Sequence, residues 1–217
     1  MASLDETTVM RWVLKAVDKS EKVDKNINEI NVTEVASPCI RQSFYKRTKT
    51  IIPSPMDFIR LTGKSAHESL LSVVEEEGYS TEVLFSENIS FKLFGENHNV
   101  KIVGRVDALK DDHIIEFKFP EDLPSSPSYW HIMQVQLYMW IFRIPKAYIV
   151  YISRKNGKIK MFRVYRNKRI ATYALKRVIR YYSHLYKNIM PKPERGYWCN
   201  SCNFYMYCIG SEKNRDK

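Results

Sequence analysis

A mixed α/β fold, a central mixed sheet flanked by helices, is what the order of patterns along this chain predicts. Two β-prone stretches, Glu82 to Leu93 and Val100 to Phe119, stand between runs with helical spacing. The strongest turn signal, Asn156-Gly157, joins a second pair of strand-like runs and precedes another long helical run. Helices, a meander, a helix, two strands and a helix suit a layered α/β domain better than an all-α or all-β one.

The elements follow in order. Glu6 to Asp18 reads as a helix whose stripe is Val9, Trp12, Val13 and Val17, and residues 19 to 30 read as a charged loop. Ser37-Pro38-Cys39 resembles a helix start, with Ser37 as cap and Pro38 at the first helical position. Ser54-Pro55 opens a further helix through Phe58, Ile59, Leu61, Ala66, Leu70, Leu71 and Val74, ending near Gly78. Gly95 and Asn97 to Asn99 supply turn chemistry between the first two strands. Ser126-Pro127 begins a helix to about Phe142, with His131, Gln134 and Tyr138 on one face. Ala147 to Ser153 and Ile159 to Tyr165 form the second hairpin. Asn167 can cap the last helix, whose apolar residues include Ile170, Ala174, Val178, Tyr181 and Leu185; Lys168, Arg169, Lys176, Arg177 and Arg180 can occupy its outer surface.

Chemistry concentrates in Gly104-Arg105-Val106-Asp107 and Glu116-Phe117-Lys118. A turn centred between Asp111 and Asp112 makes opposed residue numbers sum to 223, so Asp107 faces Glu116 and Arg105 faces Lys118. Alternation puts these four polar side chains on one face of the sheet and the apolar residues on the other. Directly opposed like charges repel. Either a divalent cation with oxygen ligands or diagonal pairing with Arg105 and Lys118 would offset that repulsion.

At 217 residues the chain can bury one sizeable core. No apolar run approaches the ~20 residues of a membrane span, and no secretory core opens the chain; a soluble cytoplasmic protein that avoids membranes is expected. The net charge is +11, and from Arg143 to Arg195 sixteen Lys or Arg residues face one acid, Glu194. That asymmetry points to a polyanionic partner, nucleic acid first, because neutralised phosphates release counterions. Tyr181, Tyr182 and Tyr186 lie among these cations and could either stack bases or fill the core. The four cysteines are Cys39 and a C-x2-C-x5-C array at Cys199, Cys202 and Cys208. Zinc, an iron–sulfur cluster or two disulfides would each use four.

Taken in sequence, His67 in G-x3-H, Asp107 in G-x-x-D, Glu116-x-Lys118 and Gln134-x3-Tyr138 resemble the ordered motifs of RecB-type nucleases of the PD-(D/E)XK superfamily. With Cys39 upstream and three cysteines downstream, the chain resembles the CRISPR-associated RecB-like exonucleases, the Cas-four family, from about Cys39 to Cys208. The resemblance implies a restriction-endonuclease-like core with these parts: an N-terminal helical segment 1–36, a nuclease domain 37–195 with Cys39 reaching to the cluster, a cysteine region 196–210 and a polar tail 211–217. It implies Mg²⁺ or Mn²⁺ held by His67, Asp107, Glu116 and the main-chain carbonyl of Phe117. Lys118 would act on the attacking water, and Gln134 and Tyr138 would orient the site. Cys39, Cys199, Cys202 and Cys208 would hold an iron–sulfur cluster of the [4Fe–4S] kind. The implied activity is a metal-dependent DNA exonuclease, preferring single strands and attacking 5′ to 3′. It would serve CRISPR spacer acquisition beside the CRISPR integrase, or viral DNA metabolism. A second class fits the same residues: a catalytically weak nucleic-acid-binding module stapled by zinc or a cluster. Cleavage separates the two.

Overall fold

The computed structural model describes residues 26–48 and 55–208, with the backbone alone over 55–64. The expected helix at Glu6 to Asp18, the Ser54 helix start and the tail from Ser211 lie outside the described residues.

Six strands form one mixed sheet: β1 (Glu29–Asn31), β2 (Ser80–Leu93), β3 (Glu96–Lys110), β4 (His113–Lys118), β5 (Lys146–Ile152) and β6 (Ile159–Tyr165). Their order is β1-β3-β4-β5-β6, with β2 on the other edge of β3. β1 pairs parallel with β3 and β4 parallel with β5; the remaining pairs are antiparallel. The described helices are α1 (Val32–Val35), α2 (Ile40–Thr48), α3 (Pro55–Glu76), α4 (Tyr129–Ile141) and α5 (Lys168–Tyr186), followed by a 3-10 turn, Tyr197–Ser201. The α/β architecture expected from the sequence is the one observed.

The β3–β4 hairpin keeps the register that sums to 223, with Ala108 opposite Ile115 and Lys110 opposite His113. Its two-residue loop places Asp111 at φ +30. The ladder then stops at Ala108↔Ile115, because β3 turns to pair with β1 at Lys101 to Val103. Strand alternation sends Ile114 into the main core with α4 and α5, while Ala108 and Phe117 pack on Leu71 of α3. Helices therefore cover both faces, and the splayed ends of β3 and β4 open between them.

Five local expectations differ from the structure. Asn97 to Asn99, expected in a turn, lie within β3 and pair with Lys92 to Ser90 of β2, and the turn is Phe94-Gly95 alone. β1 occupies Glu29–Asn31, where a loop to residue 30 was expected; Ile30 is fully buried and its strand is recruited by β3. α2 begins at Ile40, not at Pro38. Its first turn bonds back to the Cys39 carbonyl, and the Ile40 N–H donates to Glu194 Oε2 at 2.8 Å. α4 begins at Tyr129, leaving Ser126-Pro127 in the preceding loop. Arg177, expected outside, is buried: it donates to the carbonyls of Val35 and Ser37 and to both carboxylate oxygens of Glu194. Asn167 does cap α5, accepting from Arg169 N and Ile170 N.

Candidate active site

Where β3 and β4 part, a backbone donor loses its strand partner, and Asp107 takes its place. Asp107 Oδ2 accepts the Phe117 N–H at 2.8 Å. That bond fixes the carboxylate beside the Glu116 backbone and leaves it nine-tenths buried. His67 arrives from α3, with Nε2 at 3.1 Å from the same Oδ2 and its ring edge-on to Phe117 and Phe119. The Asp107 hydrogen bond raises the pKa of His67 against the opposing effect of burial, with Asp107, Glu116 and Glu82 adding to the rise through their charge.

Glu116 is almost wholly enclosed, with 2% of its surface exposed. Its Oε1 accepts from Lys118 Nζ at 2.6 Å and from Gln134 Nε2 at 2.8 Å. Its Oε2 is buried without a partner. Burial drives the Glu116 carboxyl upward; Lys118 opposes this and Asp107 reinforces it. Burial acts to lower the Lys118 pKa, yet Glu116 and Asp107 outweigh it and the ammonium is held charged. Gln134 also donates to Tyr138 Oη at 2.9 Å, and Tyr138 donates to the Arg105 carbonyl at 3.0 Å. One row of bonds thus runs Lys118–Glu116–Gln134–Tyr138 and ends on the G-x-x-D segment. Gly104 is required there: a Cβ would lie 2.6 Å from the Phe85 ring that packs on Tyr138.

All six of the expected side chains, His67, Asp107, Glu116, Lys118, Gln134 and Tyr138, come together. Two neighbours escaped the sequence reading. Glu82 sits opposite Asp107 in the β2–β3 register, between the pairs Thr81↔Ala108 and Val83↔Val106. It adopts φ +49 and accepts from Arg105 at 3.0 Å, so Arg105 turns to Glu82 instead of confronting Lys118. The signal was the two-residue turn at Phe94-Gly95, which fixes that register. Tyr151, directly across from Lys118 on β5, accepts from Ser128 N, and its hydroxyl lies 2.8 Å from His131 Nδ1. Burial and the nearby Lys118 charge depress His131 to about 3, which keeps its ring neutral.

Among the described residues no three His, Cys, Asp or Glu side chains are grouped as a ready metal cage; protein cations and amides occupy Asp107 and Glu116. The donor set nevertheless suits a hard cation. It combines two carboxylates, one with an orphaned buried oxygen, and an imidazole. The cysteines lie together elsewhere, around a separate cavity. All four carry free thiols and line one cavity of about 230 Å³. The Cys202 thiol is pushed up first by burial, and further by the proximity of Cys39, Cys199 and Cys208, against a hydrogen bond from the Phe204 backbone. Arg41 Nη1 donates to Cys208 Sγ at 3.1 Å and Gln42 Nε2 to Cys202 Sγ at 3.6 Å. Four thiols lining one cavity with a cation beside them suit in kind a group that takes four thiolates, although among the described residues no three of them are grouped as a metal site.

Of the three tyrosines set among basic residues, Tyr181 and Tyr182 are buried in the core and Tyr186 alone stands exposed. Packing accounts for the first two.

A mixed sheet whose splayed strands present a buried Asp–Glu pair with a Lys at its edge is the arrangement of a nuclease. The chain belongs to the PD-(D/E)XK nuclease superfamily, whose sequence profile matches residues 8–209. No curated protein matches it in sequence. Among solved structures it is similar to SSO0001, at 24% identity and a TM-score of 0.67, over 92% of this chain and 96% of that one. It also aligns with LHK-Exo in complex with dAMP at 18% identity and a TM-score of 0.48, over 75% of this chain and 90% of that one. The alkaline exonuclease LHK-Exo from Laribacter hongkongensis aligns at 14% identity and a TM-score of 0.44, over 82% and 94%. Nucleases of the superfamily generally use divalent metals. Among the described residues, no helix is long and apolar enough to cross a membrane.

Proposed function

We propose that this nuclease is a divalent-metal-dependent DNA exonuclease that acts on single strands or single-stranded ends, from the 5′ side. The observation that carries the reading is the enclosed Glu116 carboxylate, whose Oε2 has no partner while Asp107 and Lys118 stand against it. An unpaired buried carboxylate oxygen costs free energy, and a bound cation removes that cost.

Mg²⁺ or Mn²⁺ held by His67, Asp107, Glu116 and the Phe117 carbonyl would polarise the phosphate and make water a stronger nucleophile. The chain's own groups prepare the rest. Phe117 N–H pins Asp107, so its free oxygen keeps one direction. Gln134 locks the Glu116 rotamer from one side and is itself braced by Tyr138. Lys118 keeps a charged ammonium at the rim, where it meets the negative charge that develops on the phosphoryl oxygens. The basic stretch from Arg143 to Arg195 supplies the field that gathers a polyanion.

The four thiols are assigned to a [4Fe–4S] cluster, and the cellular setting to fragment processing for CRISPR spacer acquisition beside the integrase, or to viral DNA metabolism. The ordered motifs and split cysteine set support these assignments. The cavity shared by all four thiols supports the first.

Digestion of end-labelled single-stranded DNA with Mg²⁺ or Mn²⁺ tests the reading, because it reports activity, polarity and ion requirement together. Asp107→Ala and Lys118→Ala are expected to lower the rate by about 10²–10³-fold. Equal residual cleavage by wild type and both variants would overturn it in favour of a binding module. A brown preparation with visible absorption identifies the cluster; a colourless protein containing zinc contradicts it.

A further inference from the structure

Five aromatic rings from three separate segments touch in series across one side of the molecule. Tyr173 of α5 lies 6.4 Å from Tyr129, the first residue of α4. Tyr129 meets Trp130 at 5.5 Å, Trp130 meets Trp198 at 5.9 Å, and Trp198 meets Tyr197 at 5.3 Å. The series spans from the helix that carries Gln134 and Tyr138 to the 3-10 turn that carries Cys199.

The two tryptophans are partly buried and held in place. Arg177 lies 5.3 Å over the Trp130 ring. Trp198 Nε1 donates to the Glu194 carbonyl at 2.9 Å, and its ring folds over Gly196 so closely that a Cβ would stand 2.4 Å from it. The tyrosines differ. Tyr129 and Tyr173 are each 44% exposed and Tyr197 81% exposed. Core packing explains the tryptophans but not three adjoining rings left in water.

Tyr129, the second ring of the series, is linked to the candidate active site through its neighbour Ser128. Lys118 lies directly across from Tyr151 on β5, and Tyr151 accepts the N–H of Ser128, the residue before Tyr129. Cations stand beside the exposed rings: Tyr173 shares its face of α5 with the exposed Arg169, Lys176 and Arg180, and the exposed Arg195 lies two residues before Tyr197. Rings with free faces on a basic surface suit bases joined by phosphates, because every base has a face to stack and every phosphate a charge to meet.

We infer that Tyr129, Tyr173 and Tyr197, braced by Trp130 and Trp198, form a stacking track for the bases of single-stranded DNA, leading from the cysteine lobe to the active site. This inference rests on the nuclease reading for its substrate, and gives that substrate a path and a reason for single-strand preference. Bases paired in a duplex present no free face to the rings. The track binds without regard to base identity.

The test measures binding in EDTA, where no hydrolysis occurs, by fluorescence anisotropy. The probes are labelled oligothymidine of roughly 15 nucleotides and an abasic oligomer of equal length. Wild type is expected to bind oligothymidine about tenfold or more tighter than the abasic strand. Tyr129→Ala, Tyr173→Ala and Tyr197→Ala should each narrow that gap, and the triple variant should close it. Phe at the same positions should preserve it. The salt dependence of binding should stay the same throughout, since phosphate contacts are untouched. Tyr197→Leu keeps apolar bulk at the most exposed position and shows the loss without risk to folding. Equal wild-type affinity for both oligomers overturns the inference, as does a well-folded triple variant that binds oligothymidine like wild type. Wild type that cleaves DNA yet ignores bases sinks the track and leaves the nuclease; base-dependent binding without cleavage does the reverse.

Discussion

Glu116 shows how much depends on one side chain being read in its surroundings. In the sequence it is the acid of an E-x-K triplet, a pattern too short to mean much alone. The two-residue loop set the hairpin register, but the ladder ends at Ala108↔Ile115 and the single polar face expected from alternation does not hold. Glu116 turns with Ile114 toward α4, Arg105 turns away to Glu82, and Asp107 reaches Glu116 through its bond to the Phe117 N–H. The enclosure of Glu116 and its free Oε2 were not legible, since both arise from tertiary packing, to which Gln134 contributes from a helix 18 residues away. Gly104 is similar: G-x-x-D marks the position, but the reason is the Phe85 ring from β2 lying where a Cβ would go. Gly104→Ala should therefore destabilise the fold by about 1–3 kcal/mol by overpacking, measured by urea unfolding. Activity should fall as well, because the Phe85 ring that must move packs on Tyr138. Gln134→Ala removes one of the two partners of Glu116 Oε1 and should lower the cleavage rate about tenfold or more. Unchanged kinetics would remove Gln134 from the site.

At the scale of elements, long strands and caps close in sequence were readable, and caps supplied from afar were not. Asn167 heads α5 as expected because the cap and the helix adjoin. The start of α2 was placed at Pro38 because Ser37 looked like a cap, yet Glu194, 154 residues later, meets the Ile40 N–H. No local pattern encodes that partner. Glu194 joins α2, α5 and the cysteine lobe at once, through Ile40, Arg177, Arg180 and the Trp198 indole on its carbonyl. Glu194→Gln should cost about 2–3 kcal/mol, read from denaturant unfolding, because Arg177 stays buried with its charge less well met. Burial acts to raise the Glu194 pKa, but hydrogen bonds from Arg177 and Ile40 outweigh it and hold the group below its ordinary 4.5. A depressed carboxyl contributes stability that is complete above the ordinary value and disappears as pH falls through the folded one. Wild type should thus lose more stability than Glu194→Gln when the pH drops below 4.5, and the two unfolding curves should converge in acid.

For the molecule as a whole, the α/β layering was legible because each long strand and helix carries its own period. β1 was missed since three residues are too few for a pattern, and β3 alone makes them a strand. The group proposed for the cysteines would join remote parts in the same manner: Cys39 and Cys199 are 160 residues apart, so sharing it would close a very long loop. Cys202→Ala should lower cluster content and Tm together, the latter by about 10 °C; unchanged Tm after complete cluster loss would deny the group a clamping role. The assembly of α3, β3, β4 and α4 around Glu116 has a more direct test. Mn²⁺ titration followed by electron paramagnetic resonance of the free ion should reveal a bound ion in wild type that Asp107→Ala and Glu116→Gln both lose. Equal Mn²⁺ uptake by all three proteins, or none by wild type, would contradict a cation site at these residues.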